Sequence, residues 1–206
     1  CGMMGREHLR NAAMIKGIYV TAIFEPDESM RHECRRLLPN VTFMGSEEEV
    51  ILSEKVDALV ITSPNFLHCD QLKKISDMRP IPILLEKPVC TSLDQLRELQ
   101  KIDKNYPSPI WVAMEYRYMP PISKLLEIVH SGKTLGKTIS LSIREHRYPF
   151  LEKVGNWNRF NKKSGGTLVE KCCHFFDLMR LILKSEPVRV FASGAQDLNH
   201  LDENYD

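Results

Sequence analysis

No stretch of the sequence approaches the ~20 consecutive apolar residues that span a bilayer, and the chain does not open on a basic segment followed by an apolar run and a cleavage site. A dense Lys/Arg run is also missing: 28 basic residues stand against 27 acidic ones, for a net charge of +1. That balance gives no electrostatic footprint for nucleic acid or an anionic membrane surface. There is no CxxC pair among the six cysteines, Cys1, Cys34, Cys69, Cys90, Cys172 and Cys173, so they read as reduced, mostly buried thiols. Zinc on Cys172, Cys173 and His174 is disfavoured, because three consecutive helical residues point in different directions and tetrahedral sites draw on spaced ligands. These absences leave a soluble, cytoplasmic protein whose partner is a small molecule, with no nucleic acid, no membrane and no metal.

What is present is ordinary globular composition, 43% apolar and 27% charged over 206 residues, enough for one large domain or two small ones. Through the first half, short apolar runs at 18–24, 58–62, 83–85 and 110–113 alternate with helical patterns at 6–15, 27–38, 47–53, 67–77 and 92–104. Buried parallel strands read as unbroken apolar runs, and strand, helix, strand repetition predicts an α/β fold with a doubly wound parallel sheet. After Pro120-Pro121 the pattern changes. A helix at 122–130 leads through Ser131-Gly132 to a stretch where Ile139, Leu141 and Ile143 share one face and Ser140, Ser142, Arg144 and His146 the other. Such alternation predicts antiparallel strands with one face on a core; a helix at 168–183 and a strand at 188–192 follow. The boundary falls near Met119, giving domains at 1–118 and 119–206.

Cys1-Gly2-Met3-Met4-Gly5 runs straight into a helical pattern and supplies the last four positions of a G-x-G-x-x-G turn. A turn without side chains lets a pyrophosphate reach backbone N–H groups at a helix N-terminus, where the dipole favours negative charge. The apolar run that follows ends in Glu25, twenty residues after Gly5, where dinucleotide folds place the carboxylate that binds the adenosine ribose. The competing reading is a plain Gly-rich turn with Glu25 on a solvated loop. Glu25-Pro26-Asp27-Glu28 is acidic, with no Arg before Arg31; it would repel a 2'-phosphate, which favours NAD over NADP.

Glu86-Lys87-Pro88 closes an apolar run and puts a Lys at a strand's carboxyl end, where open α/β sheets bind ligands. Pro88 restricts Lys87 to extended geometry, although such a pair is also an ordinary turn. In the late helix Glu170, His174 and Asp177 fall at i, i+4 and i+7 on one stripe. A solvated polar face with a Thr167-x-x-Glu170 capping box explains that pattern too, but Leu178 and Leu181 continue the polar side as apolar surface, as in a cleft wall. A dehydrogenase needs a group that takes the hydroxyl proton as hydride leaves, which suits a His of ordinary pKa ~6.5. Glu170 could orient it, and the Lys87 ammonium could stabilise a developing alkoxide.

The order of motifs is Gly2-x-x-Gly5-x-x-His8, Glu25-Pro26-Asp27, Ser63-Pro64-Asn65-x-x-His68, Glu86-Lys87-Pro88, Arg117-Tyr118 and Gly165-Gly166-Thr167-Leu168-Val169-Glu170-x-x-x-His174-x-x-Asp177. Over nearly the whole chain this resembles the glucose-fructose oxidoreductase, inositol dehydrogenase and rhizopine catabolism family, Gfo/Idh/MocA. The resemblance implies a Rossmann domain at 1–118, a substrate and oligomerisation α+β domain with a mostly antiparallel sheet at 119–206, and hydride transfer between NAD(P) and a secondary alcohol or carbonyl of a sugar, inositol-like polyol or related substrate. It implies Lys87 on the reacting hydroxyl, His174 as acid/base and Glu170 where family members commonly have Asp, with Lys87-Pro88 in the cis form. Gly2, Met3, Met4, Gly5, Glu25, Ser63, Pro64, Asn65, His68, Glu86 and Lys87 fall on the cofactor side; Asn65 also fits a helix N-cap. Arg117, Trp157, Arg159 and Asp177 fall on the substrate side. The rival is a non-catalytic NAD(P)-binding sensor of the same fold, disfavoured because a sensor has no need of Lys87, Glu170 and His174 together. The family's first strand and first fingerprint Gly would precede Cys1, and further strands would follow Asp206. The chain is therefore expected to be a fragment of a homo-oligomeric protein, insoluble or inactive by itself, since loss of a central strand leaves backbone groups and apolar surface unpaired.

Overall fold

A computed structural model describes residues 1–133, 136–146, 151 and 153–193. Helix α1 (Met3–Met14) leads to strand β1 (Ala22–Ile23), α2 (Glu28–Leu37), β2 (Thr42–Phe43) and α3 (Glu47–Leu52). Then come β3 (Leu59–Ile61), α4 (His68–Met78), β4 (Ile83–Glu86), α5 (Leu93–Asn105) and β5 (Ile110–Ala113). The expected helices are present within a few residues at either end, α1 starting three residues before the expected 6, and β5 coincides with the expected run. Side chains start the helices where the sequence supplies them: Asp27, Ser46 and Ser92 accept from the N–H groups of Met30, Glu49 and Gln95.

All pairing is parallel, β1 with β2 in one sheet and β3-β4-β5 in another. The expected strand at 18–24 shrinks to two residues, and its partner β2 had no apolar run long enough to announce it. In the larger sheet alternate residues Leu59, Ile61, Ile83 and Leu85 face α4 and α5 and pack with Leu72, Ile75 and Leu99 into the main apolar core. A smaller core of Leu9, Ile23 and Cys34 sits under α1 and α2. The opposite face of the larger sheet shows Val60 and Trp111, each more than half exposed.

Beyond β5 a 3-10 turn (Glu115–Tyr118) leads into α6 (Pro120–Ser131), which ends on left-handed Gly132. The alternating stretch 139–146 and the run 188–192 form no strand. Ile139, Val188, Val190 and Phe191 are strongly exposed, while Leu141 and Ile143 are half-buried. A strand is stabilised by its neighbour's ladder and by a covered face, and among the described residues neither segment has the first. The 3-10 segment Val154–Arg159 and short α7 (Asn161–Ser164) precede α8 (Gly166–Glu170) and α9 (Cys173–Leu183).

The predicted continuous helix at 168–183 is thus broken. The Thr167 carbonyl accepts from both Lys171 and Cys172, which closes α8, and α9 restarts at Cys173. No capping box forms at Thr167, because left-handed Gly165 caps α8. A Cβ on Gly165 would stand 2.7 Å from Val169 Cγ1, so this corner needs glycine for space as well as for its φ of +83°.

Candidate active site

The nucleotide end is built by the first turn of α1. Its cap, Gly2, is open, since a Cβ there would meet nothing within 4 Å, and the first turn carries no acidic residue. Gly5 faces inward instead: a Cβ on it would stand 2.9 Å from Thr62 Oγ1 just beyond β3, so this glycine lets helix and sheet approach closely. Met3 and Met4 supply backbone to the turn while the Met3 side chain is exposed. Just past the end of β1, buried Glu25 accepts from the Asp27 N–H at 2.9 Å, and its carboxylate lies beside Cys1, next to the glycine turn. Arg31, the first Arg after Glu25 in the sequence, turns back and donates to the Glu25 carbonyl. An uncrowded helix N-terminus free of acid, with a buried carboxylate alongside, fits a dinucleotide's pyrophosphate and ribose.

Past β3 the chain enters Ser63-Pro64-Asn65. Asn65 is not the expected N-cap. It lies inside the 3-10 turn (Asn65–Leu67) that Pro64 caps, and its buried amide donates 3.2 Å to the Ser164 carbonyl across 99 residues. His68 is also displaced from its expected role on the cofactor. It is fully buried, with Nδ1 2.7 Å from the Pro88 carbonyl and Nε2 3.0 Å from the Ser63 carbonyl, so it braces the two loops from beneath. Burial pushes its pKa down, against the two carbonyls that pull it up. Ser63 spends its hydroxyl on Gln71. Glu86 is occupied by His8 at 2.7 Å, which ties α1 to the end of β4.

Lys87-Pro88 is cis, and the Lys87 ammonium donates 2.9 Å to the Glu170 carbonyl at the end of α8. That contact brings Lys87 to the α8–α9 break, and α9 carries His174 in its first turn. His174 is 2% exposed, its Nδ1 has no hydrogen-bond partner among the described residues and its Nε2 faces the Glu115 carboxylate at 3.4 Å. Burial first, then the Lys87 and Lys171 ammonium groups, push its pKa down to about 4. It is therefore neutral at pH 7, and a tautomer with Nε2–H toward Glu115 leaves Nδ1 as a free acceptor.

Glu170 does not orient His174 as expected: the break separates them, and its buried carboxylate faces Lys153 at 3.4 Å. Nor are Arg117 and Asp177 open to substrate. They form a two-pronged pair with each other that joins the Glu115–Tyr118 turn to α9. Trp157 is buried, with Lys153 4.6 Å over its ring and the Phe66 ring 6.3 Å away edge-on, so the stacking face expected for a polyol is already covered. Arg159 is half-buried in the same segment and has a partner of its own.

Three residues of this cluster escaped sequence reasoning: Glu115 and Tyr116, which immediately follow β5, and Lys171. The first two stand past the carboxyl end of a parallel strand, a position that by itself marks ligand-binding loops. Lys171 carried no such signal. The cysteines compete poorly as a site, because burial raises the thiols of Cys34, Cys69, Cys90, Cys172 and Cys173 above their ordinary values. No helix among the described residues is long and apolar enough to cross a membrane.

The fold and site define a dinucleotide-binding α/β protein. Residues 1–114 match the model of the oxidoreductase family with an NAD-binding Rossmann fold, and residues 129–205 match that family's C-terminal alpha/beta domain. The chain belongs to the Gfo/Idh/MocA oxidoreductase family. It is 28% identical over 194 residues to inositol 2-dehydrogenase of Corynebacterium glutamicum, covering 92% of this chain and 54% of that protein. With the uncharacterized oxidoreductase YrbE of Bacillus subtilis it shares 26% over 200 residues, 96% of this chain and 56% of the other. Among solved structures, the myo-inositol 2-dehydrogenase of Lactobacillus plantarum superposes with a TM-score of 0.72 at 22% identity, covering 90% of this chain and 55% of that one. The chain spans about half the length of these relatives.

Proposed function

We propose that this chain carries the cofactor site and part of the substrate site of an NAD-dependent oxidoreductase that moves hydride between nicotinamide and a secondary alcohol or carbonyl of a polyol or sugar. The observation that carries the reading is the convergence of Lys87 with a buried His174 whose Nδ1 is unpartnered. NAD, when bound, supplies the hydride acceptor. Gly2 leaves the N-terminus of α1 open to the pyrophosphate, Gly5 lets that helix sit close to the sheet, and Glu25 would accept from ribose hydroxyls; the carboxylate is the reason NAD is preferred to NADP. Lys87 donates to the substrate oxygen and stabilises its developing negative charge, and neutral His174 takes the hydroxyl proton at Nδ1. The inositol 2-dehydrogenase relative supports a polyol as the substrate class.

The test is NAD reduction by the full-length protein, the form in which all variants are assayed, against a panel of inositols, aldoses and sugar acids. His174→Ala and Lys87→Ala are each expected to lower turnover by about 10²–10⁴-fold while NAD binding, followed by fluorescence, stays intact. Full turnover in either variant would sink the assignment.

A further inference from the structure

The Tyr116 ring lies parallel to the His174 imidazole, with centroids 4.2 Å apart and planes 9° from each other. Lys171 reaches the same phenol from the α8–α9 break: its ammonium donates to the Tyr116 hydroxyl and sits 4.6 Å over the Tyr116 ring and 5.6 Å over that of Phe175. The Glu145 carboxylate faces the ammonium at 3.3 Å, and the Lys171 side chain is only 10% exposed. Burying an ammonium costs several kcal/mol unless it is paired, and here its partners are a carboxylate, a phenol oxygen and two aromatic faces. Among the described residues the ammonium meets only Glu145, Tyr116 and Phe175, so what it achieves is local: it holds the phenol.

We infer that Tyr116 and Lys171 are positioning residues for His174, the phenol ring fixing the plane of the imidazole and the ammonium gripping the phenol so that the ring cannot turn away. The inference rests on the reading of His174 as the acid/base. It adds why the imidazole keeps one orientation while its Nδ1 is unbonded: the stacked ring replaces the hydrogen bond that usually orients a catalytic His. The charged groups around the imidazole are Glu86 at the end of β4 and Lys87 just after it, Glu115 on the turn beside Tyr116, Lys171 at the break, and Asp177 on α9, already paired with Arg117. Lys171 and Lys87 both oppose protonation of His174.

Proton NMR of the imidazole separates this from a merely structural role. The parallel ring shields the carbon-bound protons of His174, so Tyr116→Leu should move them downfield, and Tyr116→Phe, which keeps the ring but loses the hydroxyl that Lys171 grips, should move them by a smaller amount. Lys171→Met should raise the His174 titration midpoint. In turnover, Tyr116→Leu should lower kcat by up to about 10²-fold, the cost of a misplaced catalytic group, with KM little changed and Tyr116→Phe recovering much of the loss. A Tyr116→Leu spectrum and midpoint equal to those of the parent protein would overturn the positioning pair whatever the turnover. His174→Ala with full turnover would instead sink the acid/base reading without touching the NMR result.

Discussion

Leu85, under the parallel sheet, and His174, at the start of α9, are 0% and 2% exposed, yet their surroundings obey opposite rules. Around Leu85 the neighbours are Leu72, Ile75, Ile83 and Leu99, and each contact adds to the same apolar burial. Around His174 stand Lys87, Glu115, Tyr116, Lys171 and the Arg117–Asp177 pair. The first region spends burial on stability. In the second, burial strips charged groups of water and so turns their mutual distances into chemistry.

The largest expected effect sharpens the contrast. Lys87→Ala should cost turnover about 10²–10⁴-fold, roughly 3–5 kcal/mol of barrier, while the melting temperature changes little, because Lys87 holds one carbonyl and no apolar contact of the core. Leu72→Ala should do the reverse. Losing a 1% exposed leucine from the main core should reduce stability by about 2–5 kcal/mol, read by urea denaturation, with turnover per folded molecule unchanged. If Leu72→Ala lowered kcat in fully folded protein, the two regions would not be separable.

The Arg117–Asp177 pair stands between the two cases. The Asp177 side chain is 10% exposed and that of Arg117 is 40% exposed, so water screens one partner, and Asp177→Asn should cost about 1–2 kcal/mol, below the range for a fully buried pair. A substrate role predicts another outcome: Arg117→Ala would raise KM for the polyol several-fold with stability unchanged. Chemical denaturation and initial-rate kinetics on the same variant decide between them.

How much of this was legible in sequence follows the same division. Ile110–Ala113 and the end of β4 could be read almost residue by residue, because each is a short unbroken apolar run, although Trp111 in β5 stays more than half exposed. The two-residue β2 and the open stretch 139–146 could not, since short or unpaired strands depend on neighbours rather than on their own pattern. In the site, Lys87 and His174 were visible from strand-end position and spacing. The Glu170–His174 stripe assumed one helix, and no Gly or Pro warned of the break at Lys171-Cys172. Glu115 and Tyr116 meet His174 across almost 60 residues, a separation at which no local periodicity carries information. His68 illustrates the remaining gap: its spacing matched a cofactor loop, yet its two nitrogens are used beneath that loop.

The smallest effect concerns pH and bears on the polar region alone. His174 has a folded pKa of about 4 against an ordinary 6.5, so between those values the unfolded chain binds a proton that the folded one refuses. Stability therefore rises with pH across that window and is lost as pH falls from about 6.5 toward 4; below 4 this group adds no further change. The difference is on the order of 2 kcal/mol. Thermal melts of the protein and of His174→Gln between pH 4 and 7 should converge at the acid end relative to their gap at neutrality, because the variant has no imidazole to charge. Parallel curves across the whole range would mean that His174 is not held neutral by its surroundings, and the distinction between the two buried regions would then rest on geometry alone.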